Sequence, residues 1–448
     1  MDLSHIKSEL YRSLLKQWSN PSDVESEYQT FTMKIACFDL FGFLKSLSDE
    51  SISYFRDKDG KIEKLFIGIQ SSFSHFDEIE KMQNLANQNE KLTFIGGFNF
   101  DMEQNGVLEW ADLKPALFTL PYLELHKSES GTFLFAHYPK TIFQDKEAQT
   151  LWAHNLDEVF KLRPKILYDS YSIVKSLKLN PNRESWDKIF QKSIQKITDE
   201  SFHKVVLARK KVFELDTSTG MHLILDSLEN LNPNSYFIKF SMKNKSSFIT
   251  NTPERLFIIE GETIVTEAIA GTRPVGETAE ENEDFISELK GSYKEISEHR
   301  FVRKYLEDNL SSIASEYKWE VEEDVIQLKY IQHLYSKLRV KCRTAPKCID
   351  IIKRLHPTPA VGGTPWKKAK TFLIKNETLN RGLYASPVGI FSKNVSDFCV
   401  AIRSALFSED KVHIYAGAGI VKGSDVDGEW NEIENKMKNF EHIIVGEQ

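Results

Sequence analysis

Apolar residues recur along this chain in two periods, and the alternation between the two marks out its elements. Ile6–Trp18 and Trp186–Ile197 carry them at helical spacing. So does the longer run Asn282–Leu310, where Phe285, Leu289, Ile296, Tyr305 and Leu310 predict one long helix. Thr32–Leu44 reads as one or two strands, with Phe38, Leu40, Phe41 and Leu44 supplying bulk. Lys64–Ile69, Leu92–Asn99, Gly131–Phe135, Phe202–Phe213, Ser247–Thr250 and Phe398–Phe407 also read as strands, most of them bounded by polar turns. Near the C-terminus a short apolar run passes into the glycine-rich stretch Ala416–Gly419. A polar loop follows, and then a helix with Trp430, Ile433 and Met437 at i, i+3, i+7. Strands interspersed with helices predict a mixed α/β (α+β) chain. The polar stretch Tyr168–Ser185, with Asn180-Pro181-Asn182, separates residues 1–185 from residues 186–448, and no internal repeat is visible.

Composition narrows the class. With 448 residues, 41% of them hydrophobic and 12% aromatic, the chain has ample material for a large core. A net charge of −7 argues against a nucleic-acid partner, which would need a basic face. Cys37, Cys342, Cys348 and Cys399 lack zinc-ligand spacing and read as four reduced thiols. The N-terminus has no signal-peptide apolar core, and no stretch reaches transmembrane length. The expectation is a cytoplasmic protein without a membrane partner.

Several residues carry candidate chemistry, each with a plain alternative. Lys204 shares a strand face with Phe202, Val206 and Ala208. It is either snorkelling to water or desolvated for use as a general base. Glu254 projects from the Thr252-Pro253 turn, where a merely structural carboxylate would also fit. Ala270, Gly271 and Thr272 close a strand. Glu298 lies on a charge-laced helix that could simply face solvent. His356 opens a run with three prolines and paired glycines, a shape that demands a rigid loop. Arg403 is embedded in an apolar strand and needs an anionic partner. Beyond Tyr415, Gly417, Ala418 and Gly419 comes a helix that presents Glu429, Glu432 and Lys436 on one face. The plain reading there is a solvated Glu432–Lys436 pair contributing a few tenths of a kcal/mol.

The strings holding these residues occur together in one order: KVVLAR at Lys204, TPER at Glu254, TEAIAGTRP through Gly271, SYKEISEH at Glu298, LHPTPAVGGTP at His356, RGLYASPVG at Arg381, and GAGIV…GEW…E-x-x-x-K from Gly417 to Lys436. This series resembles the chorismate-utilising enzymes, strongly over residues 186–440, and is most similar to the isochorismate synthase branch. The resemblance implies a single large domain of stacked antiparallel sheets in a sandwich with helices outside. It implies chorismate as the small-molecule substrate and Mg²⁺ bound by Glu298 and Glu432, with Glu429 as a second-sphere neighbour. Lys204 would activate water and Glu254 would protonate the departing hydroxyl. Ala270, Gly271, Thr272, His356, Arg403, Tyr415, Gly417, Ala418, Gly419 and Lys436 would bind substrate.

A lysine at 204, where anthranilate synthases carry glutamine, implies water as nucleophile and no glutamine amidotransferase subunit. Ala270 removes the nucleophilic lysine of aminodeoxychorismate synthases. The alternatives are a salicylate synthase, which would go on to eliminate pyruvate and which the form of the 356–360 loop disfavours, and a non-catalytic chorismate-binding homologue. The product could feed menaquinone, siderophore or salicylate formation, with a lean towards menaquinone. A monomer or weak homodimer is expected. Ser386 and Thr378-Leu379 depart from the family pattern outside the catalytic positions.

Overall fold

The computed structural model describes residues 3–19, 26–37, 39–47, 52–143, 145–161, 173–216, 221–229, 234–242, 246–328, 331–408 and 410–445. Among them the strands form two antiparallel sheets, one of twelve strands and one of nine. One apolar core fills the space between the sheets and around the nine-stranded one, with Phe55, Phe98, Phe118, Tyr236, Phe257 and Phe398 at its centre. A second core lies between the twelve-stranded sheet and the helices covering it, where Trp186, Phe190, Leu225, Phe372, Ile433 and Met437 meet. Burying both faces of the larger sheet leaves most positions of Lys204–Leu215 buried, including Arg209, Lys210 and Lys211, each paired with a glutamate. The expected sandwich with outer helices is the observed architecture.

The two halves of the chain are interleaved. Ile52–Arg56 pairs with Tyr236–Ser241, and Phe94–Phe98 pairs with Pro387–Phe391. Part of the stretch read as a junction lies outside the described residues; Val174–Asn180 is an edge strand on Lys204–Leu215.

Three elements differ from the sequence reading. Thr32–Leu44 is a strand, Tyr28–Ile35, followed by a helix, Leu40–Ser46, whose Leu40, Phe41 and Leu44 are buried; Phe38 lies outside the described residues. A short apolar run of this kind does not distinguish strand from helix.

The run Asn282–Leu310 belongs to two helices, Ala279–Gly291 and Tyr293–Leu310. Gly291 is a poor helix former, and the Ser292 side chain accepts a hydrogen bond from the Glu295 N–H to start the second helix.

Phe398–Phe407 is likewise two strands, in different sheets. Val395–Val400 belongs to the nine-stranded sheet and Ser404–Phe407 to the twelve-stranded one. The chain crosses between them at Arg403, whose φ of 49° is the left-handed conformation an L-residue avoids.

Candidate active site

The chain crosses between the sheets a second time beside this point, and the crossing carries a carboxylate. Ser247–Thr252 ends in the large sheet, Arg255–Glu260 begins in the small one, and Pro253-Glu254 bridges them. The two crossings are laced together. The Asn251 N–H donates to the Arg403 carbonyl at 3.1 Å, and the Val400 N–H donates to the Glu254 carbonyl at 3.0 Å. Thr252 Oγ1 donates to the Val400 carbonyl at 2.8 Å. A strand turned out of its sheet leaves backbone groups to satisfy, and these bonds satisfy them.

Glu254 is buried, and burial pushes its carboxyl up to about 7, against the opposing pull of Lys204, Lys58 and Arg403. Arg403 is pushed down to about 10 by burial, with Glu254 opposing. Among the described residues no carboxylate forms an ion pair with Arg403. A desolvated guanidinium without a protein counter-ion is suited to a ligand carboxylate.

Lys204 opens the strand Lys204–Leu215 and forms an ion pair with Glu298 from the helix Tyr293–Leu310. Burial alone would raise Glu298, but Lys204, with Lys294 and Lys436 behind it, holds this carboxylate below its usual range. The antiparallel neighbour of Val206 is Gly419. A Cβ at Gly419 would stand 2.7 Å from Lys204 Cε, so the missing side chain is the space the lysine occupies.

On the C-terminal helix Val426–Val445, Lys436 pairs with Glu432 at 2.6 Å and also donates to the Gly417 carbonyl at 3.0 Å. Glu429 is raised by burial and by the Glu432 charge, and Ser424 Oγ donates to it at 2.7 Å.

At Gly271 the strand Thr263–Pro274 bulges, with φ at 76° and a register shift between Ala270 and Thr272. The bulge turns Thr272 Oγ1 and the Gly271 carbonyl towards His333 Nδ1, each at 3.0 Å. Burial, reinforced by Arg403 and Lys436, pushes His333 down to about 3. It is therefore neutral.

Lys204, Glu254, Gly271, Thr272, Glu298, Arg403, Gly417, Gly419, Glu432 and Lys436 are thus brought together, with Ala270 at the bulge. The side chains of the other three expected contacts are engaged elsewhere. Tyr415 is buried, its hydroxyl donates to Glu109 at 3.0 Å, and its ring stacks on Tyr384. The Ala418 side chain lies in the core on the opposite face of the sheet. His356 donates its Nε2–H to the Phe100 carbonyl at 2.9 Å and packs edge-on against the Phe100 ring. Alternation along the strand turns the Ala418 side chain away, while Tyr415, on the glycines' own face, and His356 are held by their bonds to Glu109 and Phe100.

Nor do Ala416–Gly419 form a turn: they continue the strand Lys411–Ile420. The neighbouring strand on one side pairs only as far as Tyr415, so beyond it that edge of the glycine segment carries no partner strand.

Sequence reasoning passed over His333, Tyr384 and Lys58. The period-two pattern of Ile331–Cys342 buries Gln332, Leu334 and Ser336 and leaves His333 on the other face, a signal that was legible. A Cβ at Gly417 would stand 2.9 Å from the Tyr384 hydroxyl. Lys58 comes from residues 1–185, which hold none of the motif strings, and no local pattern marks it.

The carboxylates that could hold a cation are Glu298 and Glu432, with Glu429 beside Glu432. These are hard carboxylate oxygens, each charge now balanced by lysines. Among the described residues no three potential ligands form a preformed cage. Mg²⁺ takes one or two carboxylates and completes its shell with water and substrate oxygens, so this set fits it. Among the described residues no helix is long and apolar enough to cross a membrane.

Known proteins resemble this chain in sequence and in fold. The family model for chorismate binding enzymes matches residues 16–445. The isochorismate synthase MenF of Haemophilus influenzae is 30% identical over 451 residues, covering 100% of this chain and 97% of that protein. The chloroplastic isochorismate synthase of Catharanthus roseus is 32% identical over 83% of this chain, which spans 65% of that longer protein. The solved structure of MenF, the menaquinone-specific isochorismate synthase from Escherichia coli, superposes with a TM-score of 0.85 at 23% identity, over 97% of this chain and 98% of that one.

Proposed function

The chain belongs to the chorismate-binding enzyme family, and we propose that within it the protein is a Mg²⁺-dependent isochorismate synthase. The observation carrying this reading is the buried Glu254 carboxyl, held protonated up to about pH 7 within the field of Lys204 and Arg403. An acid and a base of separated character at one site are what exchange of a ring hydroxyl requires.

In this reading Arg403 and Lys436 take the substrate carboxylates, and the open edge at Gly417–Gly419 lets the ring approach the backbone. Once it has shed its ammonium proton and its ion pair with Glu298, Lys204 takes a proton from water as the water oxygen bonds to C2. The ring double bond shifts, the C4–O bond breaks, and Glu254 gives its proton to the departing hydroxyl, which leaves as water. Lys204 then returns its proton and Glu254 regains one through solvent. Glu298 and Glu432 would hold Mg²⁺, whose contribution when bound is to neutralise carboxylate charge and orient it. Moving a hydroxyl between two positions of one ring changes free energy little, so the reaction stops near equilibrium and a following enzyme draws it forward. The names of the relatives support the lean towards menaquinone formation.

Product analysis with chorismate, with and without Mg²⁺, tests the proposal. A Mg²⁺-dependent mixture of chorismate and isochorismate is expected. Pyruvate with salicylate would move the assignment to a salicylate synthase, and no turnover in either condition would refute an enzymatic role.

A further inference from the structure

Glu254 is followed by Arg255, which points away from the ring site into a charge network that nothing above uses. Arg255 Nη1 donates to Glu267 Oε1 at 3.0 Å, Nη2 to Asp59 at 2.8 Å, and Nε to the Tyr236 hydroxyl at 2.6 Å. Tyr236 in turn donates to Asp397 at 2.6 Å. The second Glu267 oxygen accepts from Lys58 Nζ at 2.6 Å.

Lys58 also donates, at 3.0 Å, to the carbonyl of Pro253, the peptide that leads directly into Glu254. Both Lys58 and Glu267 side chains are almost fully buried, at 6% and 2% exposure. A buried pair of this kind costs desolvation and is weak grounds for stability alone. What it does here is fix the peptide that aims the carboxyl and place one positive and one negative charge behind it.

We infer that Lys58, from the turn after Ile52–Arg56, and Glu267, from Thr263–Pro274, are positioning residues that jointly set the orientation and proton affinity of Glu254. The inference rests on the reading of Glu254 as the acid only for its catalytic consequence. The charged and titratable groups acting on Glu254 come from every element around it. They are Lys204 from the long strand, Lys58 from the turn, Arg403 from the second crossing and Glu267 from the bulged strand, with Tyr384 and Cys399 facing it from their own loop and strand. Within that set Lys58 lowers and Glu267 raises the proton affinity of Glu254. Removing one charge or the other must therefore move it in opposite directions, which loss of packing alone would not do.

The test follows the Glu254 carboxyl directly by infrared difference spectroscopy across pH, its band assigned by its absence in Glu254→Gln. Lys58→Met should raise the midpoint by about half a unit or more, and Glu267→Gln should lower it by a similar amount. Lys58→Arg should restore the wild-type midpoint. In turnover, Lys58→Met should cut kcat by about ten- to a hundredfold with KM little changed, as expected when an acid is misaimed. Thermal unfolding of each variant checks that it folds, and Glu267→Gln keeps the test open should Lys58→Met not fold. Midpoints that do not move, or that move the same way in both variants, would overturn the inference. Full turnover in Glu254→Gln would overturn the acid assignment alone, leaving the infrared shifts to decide the coupling.

Discussion

Glu254→Gln should inactivate the protein and gain stability relative to the wild type as pH rises from 4 to 8. The carboxyl has an ordinary value of 4.5 and is raised to about 7 in the fold, chiefly by burial. Between those two values the native state binds a proton that the unfolded chain has released, so stability falls as pH rises through this window and levels off above it. The shift is roughly 2.5 units, and at about 1.4 kcal/mol per unit it amounts to about 3 kcal/mol lost between pH 4 and pH 8. Gln does not ionise and escapes this loss. Its own pH-independent cost, an amide beside Lys204 and Arg403, cancels when each variant is compared with itself across pH. For a chain of this size about 3 kcal/mol corresponds to about 3 °C in Tm. The assay is calorimetric melting of both proteins at several pH values. Asp397, also raised to about 7 by burial, titrates in the same window but is common to both proteins and drops out of the difference. A Tm difference between the two proteins that stays constant from pH 4 to pH 8 would refute the buried, protonated state on which the acid role depends.

Other substitutions probe the rest of the site. Lys204→Ala should lower kcat by about 10²- to 10⁴-fold while calorimetry still detects chorismate binding; surviving turnover would mean the base is misassigned. Gly419→Ala places a methyl 2.7 Å from Lys204 Cε, so the lysine must move. A loss on the order of a hundredfold in kcat, with the melting temperature nearly unchanged, is expected, and unchanged kinetics would contradict the packing. Chelation of Mg²⁺ should abolish turnover and weaken chorismate binding measured by calorimetry, both restored by added Mg²⁺. Full binding and turnover in chelator would remove Glu298 and Glu432 as cation ligands.

How much of the site was legible depended on where each residue's partners lie along the chain. Glu432 and Lys436 are one helical turn apart, and their spacing alone predicted the pair that forms at 2.6 Å. Lys204 was recognisable as a cation on an apolar strand face, but its partner Glu298 is 94 residues away. The break at Ser292 was written locally in Gly291-Ser292, yet apolar periodicity ran straight across it. Tyr415 and Ala418 show the opposite failure. They lie in a segment whose glycines border the site, yet alternation turns the Ala418 side chain to the other face and the bond to Glu109 holds Tyr415.

By itself the sequence determined the periods of its strands and helices, the order of its motifs, and hence the family and the identities of base and acid candidates. Those are local properties, carried by residues within a few positions of one another. The tertiary structure decided which of these residues share a volume. The two crossings between sheets, at Glu254 and Arg403, place an acid next to an unpaired guanidinium. They also bring Lys58, from the opposite half of the chain, to 3.0 Å from the Pro253 carbonyl behind that acid. Strand order and the burial of Glu254 arise only when both sheets are closed, and the raised proton affinity of its carboxyl arises with them.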